Sequence, residues 1–354
     1  MDNKTFAFGT LLFGLMMLST CVGATQLKKV VILGDSLSDT GNLAALTGGL
    51  LPPSPLYDPG RQQRFSNGDI WVDDLAAQFG LGVVPGFLSP VAADGTVTNF
   101  AVANSFTGSY DWAGTGFGLP QINNFTDLVL TATGQPFQGL PGLAQQLGLY
   151  VSQGVAADAA HFIWAGANDL FFADQIIPVS EPNVVDQAVA NIRGVLTTLQ
   201  SQGASDFYVA NLPDLGQTPF ARGQTQFPFP LTDHSAELSA LTATFNQALY
   251  EMITGLDFRV DLVDIAGLFD RAVNDPAGFG FSNVTDPCLD LATLAQQCVA
   301  PEASLFWDEV HPTSVAHQYI GNAFIAAVPE PAVPALLSAG LMLLLVRSRS
   351  ARSA

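Results

Sequence analysis

The sequence predicts a single α/β domain. Between Lys28 and Ala326, short apolar runs bounded by turn residues alternate with segments of helical period, and there is neither an internal repeat nor a long linker. Continuous apolarity, as opposed to strict alternation, marks strands buried on both faces, the state of a parallel sheet covered by helices. Five runs fit: Lys28–Leu33, Thr96–Val102, His161–Trp164, Phe207–Ala210 and Phe258–Val263. The clearest helix is predicted from Val184 to Gln202, because Val185, Val189, Ile192, Leu196 and Leu199 recur every three or four residues and Gly203 follows as a stop. Gly/Pro/Phe-rich connections occupy Gly48–Phe65, Tyr110–Pro141 and Gln217–Leu231, and their aromatics would either line a substrate pocket or lid or pack a loop onto the body.

Composition excludes several classes of partner. The chain has 354 residues, 48% of them hydrophobic, which is enough for a large core, and a net charge of −19 from 31 acidic against 12 basic side chains. Long-range attraction to nucleic acid or to an anionic lipid surface is therefore absent, and no nucleic-acid motif is present.

Both ends read as targeting segments. Lys4, the apolar stretch Phe6–Leu18 and Val22-Gly23-Ala24 predict a signal peptide over 1–24, with export from a bacterial cell to the envelope, surface or medium. Leu18-Ser19-Thr20-Cys21 approximates a lipobox, although the residue before the cysteine is normally smaller than threonine. At the other end, Val328-Pro329-Glu330-Pro331 precedes an apolar run from Ala332 to Val346 and then Arg347, Arg349 and Arg352. A helix over that run reaches only about 22 Å against a hydrocarbon core of about 30 Å, which makes a marginal permanent anchor. The order over 328–354 resembles the PEP-CTERM sorting signal, and the resemblance implies removal by a membrane transpeptidase; an ordinary tail anchor is the alternative. The body between the ends, 25–327, keeps two cysteines, Cys288 and Cys298, a pair that favours a local disulfide in an exported protein.

Two motifs carry the chemistry. Gly34-Asp35-Ser36-Leu37-Ser38-Asp39 follows the apolar run Val30–Leu33 directly, and Asp308-Glu309-Val310-His311-Pro312-Thr313 lies near the far end. A serine hydroxyl is a poor nucleophile at neutral pH and needs an imidazole to take its proton, and an acid to orient and stabilise that imidazole. His311 has such an acid, Asp308, three residues before it; His161, His234 and His317 have none so placed. Taken singly, Gly-Asp-Ser could be a turn, and Asp-x-x-His a surface ion pair or half a metal site. Asp39 and Asp169 are expected to hold turns by local hydrogen bonds. Ser36, Asn104 and Asn168 each fall after a strand candidate, where ligands of open α/β sheets bind.

Four blocks in order resemble those of the GDSL-type, or SGNH, hydrolases: Gly34–Asn42 around Ser36, Asn99-Phe100-Ala101-Val102, Gly166-Ala167-Asn168-Asp169 and Asp308–Thr313. Arg64-Phe65-Ser66-Asn67-Gly68 before Trp71, Asn211-Leu212-Pro213, and Asn246 with Leu249 look familial too. The resemblance implies a flavodoxin-like three-layer α/β/α sandwich with a parallel sheet of about five strands. It also implies Ser36, His311 and Asp308 as catalytic residues, and an oxyanion hole from the Ser36 N–H, the Asn168 side chain and a backbone N–H at Asn104. Asn104 departs from the glycine usual there, but asparagine tolerates positive φ. No Gly-x-Ser-x-Gly elbow is present. The expected activity is serine-dependent hydrolysis of an acyl ester of a lipid, small alcohol or acylated sugar, without cofactor or metal. The alternatives are a deacetylase of extracellular polysaccharide and a non-catalytic surface or biofilm-matrix protein on the same fold.

Overall fold

The computed structural model describes residues 27–53, 55–61, 63–89, 91–111, 121–124, 126, 139–175, 184–224 and 232–329. The signal-peptide and lipobox readings, and the sorting signal beyond Pro329, lie outside the described residues, as do parts of the connections Tyr110–Pro141 and Gln217–Leu231. Among the described residues no helix is long and apolar enough to cross a membrane.

The strands are β1 (Lys29–Gly34), β2 (Gly82–Pro85), β3 (Thr96–Asn99), β4 (Ser105–Asp111), β5 (Gln121–Asn124), β6 (Ala160–Trp164), β7 (Asp206–Ala210) and β8 (Asp261–Val263). The helices are α1 (Asn42–Leu46), α2 (Trp71–Phe79), α3 (Leu143–Ser152), α4 (Ala167–Gln175), α5 (Val184–Ser201), α6 (Ser235–Thr254), α7 (Ile265–Asn274) and α8 (Ser314–Ala327). Six strands pair in parallel in the order β2-β3-β1-β6-β7-β8, flanked by helices. All five apolar runs supply a sheet strand, and the sixth is β2. It sits at the edge, pairs with β3 alone and is half-exposed, so two valines between Gly82 and Pro85 suffice and no continuous apolar run announces it.

Two of the strands are shorter than their apolar runs. β3 ends at Asn99 because that side chain turns the backbone off the sheet: its Nδ2 donates to Thr40 Oγ1 at 2.9 Å and its Oδ1 accepts from Ala101 N at 2.9 Å. Asn42 completes the corner by donating to the carbonyls of Asn99 and Ala101 at 2.7 and 2.8 Å. β8 starts only at Asp261, since the apolar Phe258 before it packs on Phe207 with ring centroids 5.6 Å apart. α5 matches its periodicity: Val185, Val189, Ile192, Leu196 and Leu199 are buried, and Gly203 takes φ 96° after the helix ends.

β1 is the centre of the sheet. Its Val30–Leu33 are fully buried, and it lies between β3, reached by way of the edge strand β2, and β6, from which the chain proceeds on the other side. Connections diverge at β1 and β6, and that divergence opens a crevice beyond their carboxyl ends. The two strands approach so closely there that a Cβ on Gly34 would sit 2.4 Å from the Trp164 carbonyl oxygen. Gln146 on α3 clasps the end of β1, accepting from Gly34 N at 2.9 Å and donating to its carbonyl at 2.8 Å.

Cys288 and Cys298 form a disulfide that closes a hairpin between Leu289–Asp290 and Ala295–Gln296. Cys288 is buried in one apolar cluster with Tyr57, Phe65, Val102, Leu140 and Trp307, and the adjoining backbone bonds Leu289 N to Trp307 O at 2.6 Å. The bridge therefore braces the segment that leads into Asp308. Replacing both cysteines by serine is expected to cost about 2–3 kcal/mol on the loop-entropy model, read as a lower urea midpoint; an unchanged midpoint contradicts the brace.

Candidate active site

The loop that carries Asp308 and His311 is tied down on every side. Trp307 N donates to His311 O at 2.7 Å, Thr313 Oγ1 to Ser304 O at 2.7 Å and Phe220 N to Glu309 O at 2.9 Å. The Arg64–Gly68 block is its second brace: Ser66 Oγ donates to Pro312 O at 2.9 Å, Asn67 Oδ1 accepts from Ser314 N at 2.7 Å, and the Phe65 ring lies 5.2 Å from the His311 ring. Tyr57 and Phe65, in the Gly48–Phe65 connection, thus pack that loop onto the body rather than lining the cleft.

Within this frame, Asp308 is 1% exposed and four donors converge on its carboxylate. Oδ1 accepts from Val310 N at 2.9 Å and His311 N at 2.7 Å; Oδ2 accepts from Tyr57 Oη at 2.6 Å and meets His311 Nδ1 at 2.6 Å. Burial pushes the acid up, but the His311 charge and these hydrogen bonds outweigh it and hold Asp308 below the usual carboxylate range. An Nδ1–H donated to Asp308 leaves Nε2 as the free, basic nitrogen. Tyr57 has no signal in the sequence, being one aromatic in an irregular loop 251 residues away.

Ser36 follows β1 at the start of a tight turn in which Asp35 O accepts from Ser38 N at 3.1 Å and Asp39 N at 3.0 Å. Asp39 holds that turn through Gly41 N at 2.8 Å, Asn42 N at 2.7 Å and Leu43 N at 3.0 Å, and also reaches Ala103 N at 2.8 Å in the neighbouring loop. Asp169 differs from the local role expected of it. It accepts from the N–H and hydroxyl of Thr107, 62 residues away, and so pins α4 to β4.

Asn104 adopts φ 61°, the left-handed conformation for which glycine is the usual choice, and its Nδ2 donates to Thr126 Oγ1 at 2.9 Å. It precedes β4 directly. Asn168, in the first turn of α4, donates one amide hydrogen to Ser105 O at 3.1 Å, and its second has no partner among the described residues. Neither Ser36 N nor Asn104 N has a hydrogen-bond partner among the described residues. The glycine before α4 is required by space as well as by φ: Gly166 has φ 119°, and a Cβ there would lie 2.7 Å from the Phe245 ring.

Ser36, Asn104, Asn168 and His311 line one cleft, whose other walls include Trp164, Phe171, Leu215, Phe269 and Phe306. Asn211 and Asn246 set its rim: Asn246 bonds both backbone groups of Leu212 at 2.9 and 2.7 Å, which places Pro213–Leu215. The remaining three described histidines have other places: His234 precedes α6 directly, with its Nε2 2.8 Å from Thr232 Oγ1. His161 in β6 meets Tyr150 Oη at 3.0 Å and burial drops it to about 4, and burial drops His317 in α8 to about 3. Among the described residues no group of acids, cysteines and histidines is arranged to hold a metal ion. A mobile proton, a nucleophilic oxygen and oriented N–H donors in one partly apolar cleft are the requirements of acyl transfer.

The chain belongs to the GDSL-like lipase/acylhydrolase family, whose model matches residues 30–324. It is a carboxylic ester hydrolase. Among curated proteins it is similar to the phosphatidylcholine-sterol acyltransferase of Aeromonas hydrophila, at 28% identity over 86% of this chain and 89% of that one. It is 26% identical to the thermolabile hemolysin of Vibrio parahaemolyticus, over 85% of this chain and 63% of that protein. A GDSL lipase of Tanacetum cinerariifolium is 24% identical over 86% and 85%. Among solved structures, an acetylxylan esterase from Geobacillus stearothermophilus aligns with a TM-score of 0.42 at 14% identity, covering 88% of this chain and 97% of that one.

Two expectations follow. Tyr57→Phe removes a buried hydrogen bond to a charged acceptor, an interaction of about 1.5–3 kcal/mol. The loss lowers kcat/KM about tenfold, and it raises the acidic-limb pKa of the pH–rate profile because a less satisfied Asp308 holds the imidazolium more tightly; an unchanged profile contradicts this. Burial pushes Asp35 up to about 7, against a lowering contribution from the Leu37 N–H. Because its folded pKa lies above the unfolded one, Asp35 supports folding fully below about pH 4, and that support is lost as pH rises through about 7. Asp35→Asn keeps the oxygen that accepts from Leu37 N, so it is expected to add on the order of 4 kcal/mol at pH 8 and little at pH 4. Equal effects at both pH values in thermal denaturation contradict that account.

Proposed function

We propose that the protein is an exported serine esterase that cleaves acyl esters through Ser36, His311 and Asp308. The observation that carries this reading is the single cleft lined by Ser36 and His311, with the far side of His311 held by a buried, fully bonded Asp308. Ser36 Oγ attacks the ester carbonyl as His311 Nε2 takes its proton, and Asp308 stabilises the imidazolium. Negative charge on the former carbonyl oxygen is met by Ser36 N–H, Asn104 N–H and the second Asn168 amide hydrogen, each donor worth about 10²–10³ in rate. Collapse breaks the bond to the alcohol, which leaves with the proton from His311. Water, deprotonated in turn by His311, then releases the acid and restores Ser36. The left-handed Asn104 backbone supports a working oxyanion hole despite the missing glycine.

Export rests on the apolar run Phe6–Leu18 and agrees with a disulfide in a chain of only three cysteines. Recognition of 328–354 by a sorting transpeptidase belongs to the same reading and rests on the Pro-Glu-Pro, apolar and arginine order.

Purified protein assayed on p-nitrophenyl esters of two, eight and sixteen carbons is expected to turn over at least one of them. Ser36→Ala is expected to lose at least about 10³-fold in kcat and to escape labelling by a fluorophosphonate that modifies the parent. Preference for the two-carbon ester alone supports a deacetylase. No turnover at any length, with no labelling, overturns the enzyme reading in favour of a binding protein.

A further inference from the structure

The peptide unit that joins Ala103 to Asn104 is gripped from outside the cleft. Its carbonyl, on Ala103, accepts from Asn124 Nδ2 at 2.8 Å, and its N–H is that of Asn104. Asn124 ends β5 opposite Ser105, is fully buried and does not line the cleft. Both amide hydrogens and the amide oxygen of its side chain are engaged: Nδ2 also donates to Pro141 O at 3.3 Å, and Oδ1 accepts from Thr126 N at 2.9 Å, which fixes the end of the amide that faces Ala103. Thr126 Oγ1 in turn accepts from Asn104 Nδ2 at 2.9 Å. The hydrogen bonds thus run in a ring through Ala103, Asn124, Thr126 and Asn104 and close on one peptide, while Ala103 N is held by Asp39 Oδ2 at 2.8 Å.

In a trans peptide the N–H and the C=O point in opposite directions. A carbonyl fixed on Asn124 therefore aims the Asn104 N–H the other way, and of these two asparagines it is Asn104 that lines the cleft. The plane needs holding, because φ 61° at Asn104 is a left-handed value that costs any residue with a side chain. Turning this one peptide plane over, by about 180°, relaxes φ of Asn104 to about −120°, an ordinary extended value. The same turn puts the Ala103 carbonyl where the N–H had been, and a carbonyl repels the negative charge that an N–H stabilises. The Asn124 bond also polarises the amide and so strengthens its N–H as a donor.

We propose that Asn124 is a positioning residue for ester cleavage, which holds the Ala103–Asn104 peptide so that the Asn104 N–H faces the oxyanion, and that Thr126 is the second tether of the same peptide through the Asn104 side chain. This rests on the esterase reading and deepens it, because it assigns control of one oxyanion donor to residues outside the cleft. It also gives asparagine a purpose where glycine is usual: glycine supplies the backbone angle but has nothing to bond to Thr126.

The experiment measures kcat, KM and the pH–rate profile of the parent, Asn124→Ala and Thr126→Val on the p-nitrophenyl ester that the parent turns over fastest. Loss of a whole oxyanion donor costs about 10²–10³ in rate, so a donor left free to turn away is expected to lower kcat at least about tenfold in Asn124→Ala. KM is expected to stay within about twofold, since the hole acts on the charged intermediate more than on bound ester. The acidic-limb pKa is expected to stay at the parental value, since Asp308 and His311 keep all their partners; a general packing defect would move KM or that limb together with kcat. Thr126→Val keeps the shape without the acceptor oxygen and is expected to lower kcat by a smaller factor with the same split, which carries the comparison should Asn124→Ala fail to fold. An unchanged kcat in the folded variants overturns the proposal, as does a loss that appears in KM or in a displaced acidic limb. A loss in Asn124→Ala with none in Thr126→Val supports Asn124 and overturns the Thr126 tether. A parent inactive on every ester and unlabelled by the fluorophosphonate sinks the esterase reading instead, so the failures are distinguishable.

Discussion

A carboxylate sealed from water has to be surrounded by donors, and the candidate active site is organised around meeting that demand at Asp308. An uncompensated buried charge costs several kcal/mol, more than most single interactions in a fold supply. Two backbone N–H groups of its own turn, the His311 ring and the Tyr57 hydroxyl fill its acceptor positions. Because these donors come from both ends of the described body, the carboxylate stays satisfied only while the Tyr57 loop, the 305–313 loop and the disulfide hairpin remain packed as one cluster. The orientation of His311 is therefore a property of the whole cluster. Phe65 on the face of the imidazole and Ser66 on Pro312 extend the same constraint.

The sheet supplies the other half of the arrangement. Gly34 and Trp164 are partners in the β1–β6 register, and the two strands deliver Ser36 and Asn168 to neighbouring points on the cleft. Asn99 and Asn42 turn the chain away from β3 and bring Asn104 back toward the Ser36 turn, where Asp39 bonds Ala103 N. These asparagine and aspartate contacts are buried and directional, and they position backbone groups more than they add stability. They explain why the polar residues of the four sequence blocks are buried, a costly choice unless their hydrogen bonds fix geometry.

Much of this was legible in the chain because the signals are local. Continuous apolar runs located five of the six sheet strands, three-and-four spacing located α5, and the spacing of Asp308 and His311 is that of a single turn, within which their contact forms. Asn104 was identified as an unusual residue at a glycine position, and its φ of 61° accounts for the choice in backbone terms. The rest depends on distance. β2 needs little apolarity at an edge, and β4 pairs with β5 as a small antiparallel hairpin with a register shift, so neither has a run to detect. Asp169 reads as a turn residue but spans to Thr107, and Tyr57 reads as loop filler but bonds an acid 251 residues away. Such roles are set by tertiary packing that local pattern does not encode.

The central claim is spatial: one oxygen nucleophile, one base and three donors face a common point. A crystal structure of the fluorophosphonate adduct tests it most directly. The account predicts phosphorus bonded to Ser36 Oγ, with a phosphoryl oxygen within hydrogen-bond distance of Ser36 N, Asn104 N and Asn168 Nδ2, and His311 Nε2 beside the Ser36 oxygen. An adduct on another residue, or a phosphoryl oxygen turned away from Asn104 and Asn168, contradicts it.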